Sequence, residues 1–178
     1  MTSTSEPIAD YEDLTSYYLD DEALEQLLEA SGECILNWST KDGWPVGVVH
    51  AYVRDDQGHI WVTCAARRKR VPALRRDNRA SIVINGTGAG LPGKTVTYKG
   101  TCVIHAHGDA GWETTKDWFY KALSARVNPG NPEGAETFSR FLDSPERVII
   151  EFTPTWKLTY DGAKMGAATF AALQAEVS

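Results

Sequence analysis

The residues best equipped for chemistry stand close together. The stretch Arg67-Arg68-Lys69-Arg70-Val71-Pro72-Ala73-Leu74-Arg75-Arg76-Asp77-Asn78-Arg79 holds seven of the chain's 18 Lys and Arg residues against one carboxylate. The whole chain carries a formal net charge of −6, so this stretch sets up a local field of opposite sign. Such a cluster either binds an anion or stays a solvated basic loop, and its charge alone does not separate the two. Its neighbours favour a phosphate. His59 to Cys64 reads as a buried strand, and Pro72, whose fixed φ suits a first helical turn, opens a short helix. Arg67 to Arg70 then fill the strand-to-helix loop, near the free N–H groups of the helix start.

Other reactive residue types are scattered. His50 lies in a mostly apolar strand, where it is either a satisfied, partly buried imidazole or a neighbour of a bound cofactor. His105 and His107 sit at i and i+2 and are expected on one face of a long strand, but no carboxylate or cysteine at ligand spacing joins them, so no metal site is expected. Gly86 to Gly93 is rich in glycine yet precedes a β-branched strand and lacks a P-loop lysine, which makes it a strand-to-strand loop. No serine occupies a Gly-x-Ser-x-Gly turn and no cysteine opens a helix, so no catalytic nucleophile is assigned. An enzyme built this way takes its chemistry from a cofactor.

These residues need a scaffold, and the apolar periodicity supplies one. Residues 1–19 read as a mobile acidic arm, 20–165 as the folded domain and 166–178 as a C-terminal tail. Asp20 or Asp21 caps a helix with Leu24, Leu27 and Leu28 on one face, ending near Gly32. Period-two segments at 33–39, 45–54 and 59–64 form a meander; 80–85 and 94–107 add two strands, and 147–153 and 156–160 close the set. Helices are expected at 111–127 and 133–142. The fold class is α+β, a six- to seven-stranded antiparallel split β-barrel with flanking helices.

At 178 residues and 42% hydrophobic content, the chain suits one domain. It shows no membrane span and no secretory signal, so a cytoplasmic protein is expected, and Cys34, Cys64 and Cys102 read as buried free thiols. The acidic balance argues against nucleic-acid binding.

The order of meander, Trp61-Val62-Thr63, basic loop, Leu74-Arg75-Arg76-Asp77-Asn78-Arg79-Ala80-Ser81-Ile82-Val83 and a long strand with Tyr98-Lys99-Gly100-Thr101 resembles the pyridoxamine 5'-phosphate oxidase-like split-barrel superfamily. The resemblance implies a homodimer that binds FMN, or alternatively the deazaflavin F420, and transfers a hydride to or from a small organic substrate. It places Thr63, Arg68, Lys69 and Arg70 on the cofactor's phosphate tail, with His50 and Lys99 as further cofactor contacts and Lys94 and Tyr98 near ring or substrate. Gly47 to Tyr52 lacks the Arg and Lys that vitamin-B6 oxidases carry on this strand, so the likeness is to the flavin and deazaflavin oxidoreductase branch. The alternative is a non-catalytic flavin or haem binder, with His105 or His107 as the haem ligand.

Overall fold

The computed structural model describes residues 14–177. The expected arm therefore falls mostly outside the described residues; its end, Leu14–Tyr17, is a 3-10 turn. The chain divides into two compact units, one of residues up to 31, 85–96 and 158 onward, the other of residues 32–84 and 97–157.

In the first unit, helix α1 (Asp21–Ala30) begins where Asp20 Oδ1 accepts the Ala23 N–H at 2.8 Å, satisfying a donor the helix leaves open. Leu24, Leu27 and Leu28 are buried on its apolar face. The Ser31 hydroxyl donates to the Asn85 carbonyl and the Leu19 N–H to the Thr159 hydroxyl, both between residues distant in sequence. The glycine-rich loop holds only a short 3-10 turn, Thr87–Ala89, as a strand-to-strand connection should. Gly86 is required there, since a Cβ would strike the Leu91 backbone. Helix α5 (Gly162–Val177) contains residues 166–177 of the expected tail.

The second unit carries the sheet. Its strands are β1 (Glu33–Ser39), β2 (Pro45–Ala51), β3 (Val53–Arg54), β4 (Ile60–Ala65), β5 (Arg79–Asn85), β6 (Lys94–Ala106) and β7 (Arg147–Asp161), the last residues of β5 and β7 and the first of β6 belonging to the other unit. Their order is β2-β1-β5-β6-β7-β4-β3. Cys34, Leu36 and Trp38 alternate inward along β1, while Ile35 and Asn37 face the other side half-buried. Leu36, Ile60, Ile82, Ile84, Ile150 and Phe152 are fully buried. Residues Ile60, Trp61 and Val62 of β4 are all buried, so both faces of this strand are covered. The second cover is helical: α3 (Trp112–Val127) and α4 (Pro132–Leu142) bring Trp112, Phe119, Leu123 and Leu142 against Val53, Trp61 and Ile149. With seven antiparallel strands and five α-helices among the described residues, this is an α+β split-barrel fold.

Helix α2 (Arg70–Arg76) opens two residues before Pro72, which takes Arg70 out of the expected loop, and three strand boundaries also differ from the sequence expectations. The strand expected over 45–54 breaks after Ala51, where Tyr52 is fully buried beneath the Arg126 guanidinium, 4.9 Å from its ring centroid. The two closing strands are one, since Pro154 lacks a donor but its φ is compatible with an extended chain. β6 ends at Ala106, which leaves the exposed His107 in the turn that follows and separates it from His105.

Candidate functional site

The end of β4 delivers the chain into the basic loop. The Arg68 N–H donates to the Ala65 carbonyl and the Val71 N–H to the Arg68 carbonyl, a tight turn that sets Arg67, Arg68 and Lys69 outward, exposed. Helix α2 (Arg70–Arg76) follows, anchored by buried Val71, Ala73 and Leu74. With seven residues it is too short for a strong macrodipole, so the side chains carry the electrostatics here.

Arg70 turns inward. Its Nη1 lies 2.9 Å from His50 Nε2, its Cζ stands 5.5 Å from the Trp38 ring centroid, and its Nε is buried without a partner. Burial first, then the Arg70 charge, hold the His50 imidazole down at about 4, although a bond to the Thr63 backbone opposes them. Cys64 lies in the same neighbourhood. Burial raises its thiol, and the Arg70 charge, a hydrogen bond with the Arg70 side chain and the charges of Arg147 and Arg68 pull it back, so three guanidiniums act on one sulfur atom. All three cysteines are free and buried, and burial pushes Cys34 and Cys102 up to about 12, so they stay protonated thiols.

Arg147 is the member that sequence reasoning missed. The antiparallel register of β4 and β7 sets it opposite Ala65, beside the basic loop, although 77 positions separate Arg70 from Arg147 in the chain. Its Nε is likewise buried without a hydrogen-bond partner. Only strand pairing could have revealed it. Among the described residues Arg67, Arg68, Lys69, Arg70 and Arg147 have no carboxylate partner. The rest of the basic stretch is engaged or solvated. Arg79 forks onto Asp77 at 2.8 and 2.9 Å, holding that carboxyl at about 2, Arg76 donates to the Ser39 carbonyl, and Arg75 is exposed.

The other sequence candidates take separate places. The Thr63 hydroxyl donates to the Val148 carbonyl at 2.8 Å, leaving its oxygen as an acceptor. Lys99 lies on β6 with its ammonium 4.2 Å from the Trp156 ring centroid, apart from the loop cations. Tyr98 is buried, and Lys94 faces Asp161 at 3.5 Å. Of the two strand-end histidines, His105 donates from Nε2 to Glu151 at 2.8 Å and stacks on Trp61, while His59, on the other Glu151 oxygen at 2.9 Å, went unremarked in the sequence. Among the described residues no three His, Cys, Asp or Glu side chains converge as metal ligands, and no helix is long and apolar enough to cross a membrane.

Comparison with solved structures returns the same fold. The conserved hypothetical protein Rv2991 from Mycobacterium tuberculosis is 18% identical with a TM-score of 0.69, over 85% of this chain and 91% of that one. An FAD-binding protein from Mesorhizobium loti is 19% identical with a TM-score of 0.56, over 79% and 94%. The heme storage protein HutZ from Vibrio cholerae is 12% identical with a TM-score of 0.57, over 79% and 94%. No curated protein matches the chain. The sequence profile of the pyridoxamine 5'-phosphate oxidase family, however, matches residues 20–159, which include every strand up to the last turn of β7 and the whole basic loop. The chain therefore belongs to the pyridoxamine 5'-phosphate oxidase family.

Proposed function

We propose that this protein is an oxidoreductase that holds a flavin-type cofactor, FMN or alternatively F420, by its phosphate and uses it to exchange a hydride with a small organic substrate. The observation that carries the reading is the cation cluster at the end of β4, where Arg68, Lys69, Arg70 and Arg147 gather without a carboxylate among the described residues. Two buried guanidinium N–H groups without acceptors fit an anion better than they fit a solvated loop. Arg68 and Lys69 are exposed and free to close on a phosphate, while Arg70 is held from behind by His50 and Trp38. Thr63 offers its remaining lone pair to the cofactor tail, and Lys99 is the outlying contact. A bound flavin or deazaflavin supplies the hydride chemistry; the chain supplies position and charge.

Membership of a family whose fold serves an FAD-binding protein supports the flavin. Val49 and Val103 stand exposed on strands β2 and β6, apolar positions that pairing with a second copy of the chain would cover. The haem alternative, which the HutZ fold keeps open, would use the exposed His107, or His105 once its Nε2 is freed from Glu151. The test is an absorption spectrum of the purified protein followed by parallel titrations of the cofactor-free form with FMN and F420. Saturable binding of one of them supports the reading; a haem band with no binding of either overturns it.

A further inference from the structure

Within the cation cluster, Arg70 and Arg147 are the two guanidiniums whose Nε is buried without an acceptor, and each stands against an aromatic ring. Trp38 lies 5.5 Å from Arg70 Cζ and Phe141 lies 5.9 Å from Arg147 Cζ, measured to the ring centroids. Trp38 belongs to the core, whereas Phe141 is 68% exposed and adds little to it. The Phe141 ring is nevertheless held in place. It stacks on Phe138, one helical turn earlier on α4, with centroids 6.0 Å apart and planes 20° apart, and the half-buried Phe138 packs against the core cluster of Trp112, Phe119 and Leu123. The chain then turns into β7 with the Arg147 N–H donating to the Ser144 carbonyl, while the Ala66 N–H donates to the Glu146 carbonyl. Core packing fixes the ring, and backbone bonds fix Arg147 beside the basic loop.

We propose that Phe141 is a positioning residue for Arg147, holding the guanidinium by its face so that its N–H edge is left for an anion; the inference rests on the phosphate reading of this cluster. A guanidinium is planar, stacks through its face and donates through its edge. A carboxylate in place of the ring would fix the cation as well, but it would take up the donors that a phosphate needs. The ring offers no lone pair and leaves them unspent, while its quadrupole still attracts the charge. Arg147 is half-buried and has no carboxylate partner among the described residues, so a hold of this kind is the one available to it. Arg70 and Arg147 both act on the Cys64 sulfur, which puts the two ring-held guanidiniums at the same end of β4.

Titration of the full chain with inorganic phosphate at low salt, followed by nuclear magnetic resonance at the backbone amides of the basic loop, tests this. Phe141→Leu is expected to weaken phosphate binding roughly two- to fivefold, the strength of an exposed cation–π contact expressed as an affinity ratio. Phe141→Trp should bind at least as tightly as the parent, because indole is the stronger partner for a cation. In an Arg147→Met background, Phe141→Leu should change nothing further. Because the ring is exposed, both Phe141 variants should melt within a degree or two of the parent. Equal binding by Phe141→Leu and the parent, a loss that persists in the Arg147→Met background, a Phe141→Trp variant as weak as Phe141→Leu, or a Phe141→Leu variant melting several degrees lower each overturns the positioning role and leaves the phosphate site standing. A parent protein that binds no phosphate overturns the reading of the cluster itself, and the role of Phe141 with it.

Discussion

His50 Nε2 accepts a hydrogen bond from Arg70 Nη1 at 2.9 Å. A guanidinium has only donors, so the imidazole must be the acceptor and its own proton must sit on Nδ1, where the Thr63 backbone receives it. His50 is thus a neutral support for Arg70. The sequence left His50 open between a satisfied core histidine and a cofactor neighbour, and this bond gives it a definite task in either case.

Stability is expected to fall in acid because of this pair. The His50 pKa, about 4 in the fold against 6.5 ordinarily, is depressed, so below pH 6.5 the unfolded chain takes up the proton first. Its contribution is complete above pH 6.5 and is lost as the pH falls toward 4, amounting to about 3 kcal/mol at most. Urea unfolding at pH 7 and pH 4.5 measures the loss. His50→Gln should flatten the profile, and a parent protein equally stable at both values would contradict the assignment.

Gly100 should tolerate no side chain. A Cβ there would run into the Thr153 carbonyl oxygen and the Phe152 ring, both in β7, so Gly100→Ala is expected to cost about 1–3 kcal/mol through forced displacement of the strands. Gly88, with open space around it, makes the control: Gly88→Ala should melt within a degree or two of the parent. Equal melting temperatures for the two variants would show that β6 and β7 do not approach this closely.

Glu151 holds two imidazoles at once, His59 at 2.9 Å and His105 at 2.8 Å. Glu151→Ala leaves His105 without its acceptor and His59 with Asp55 at 3.5 Å in place of the closer Glu151, and is expected to cost about 1–3 kcal/mol. Because His105 stacks on Trp61 with centroids 5.5 Å apart, the tryptophan emission should change in the same variant. An unchanged spectrum and unchanged stability would remove this cluster from the account.

How much of this was legible depends on the range of the interaction. Capping by Asp20, the Leu24–Leu28 face and the alternation of Cys34, Leu36 and Trp38 are local patterns, and they locate α1 and β1 closely. The charge cluster was equally visible, because its residues are neighbours in the chain. Arg147 and Glu151 were not visible, because each acquires its meaning from a strand register or a contact between distant segments. The break at Tyr52 was hidden for the same reason: the residue that covers it, Arg126, lies in α3.

The central claim is that the loop cations hold a phosphate, and the direct measurement compares FMN with riboflavin, which lacks one. In the parent protein FMN should bind at least tenfold more tightly than riboflavin, and in Arg68→Ala/Lys69→Ala and in Arg147→Met that preference should shrink by roughly tenfold while riboflavin affinity stays put. If F420 proves to be the cofactor, its own affinity takes the place of the FMN reading in the same variants. Parent and variant proteins that bind the phosphorylated cofactor equally well would contradict the account.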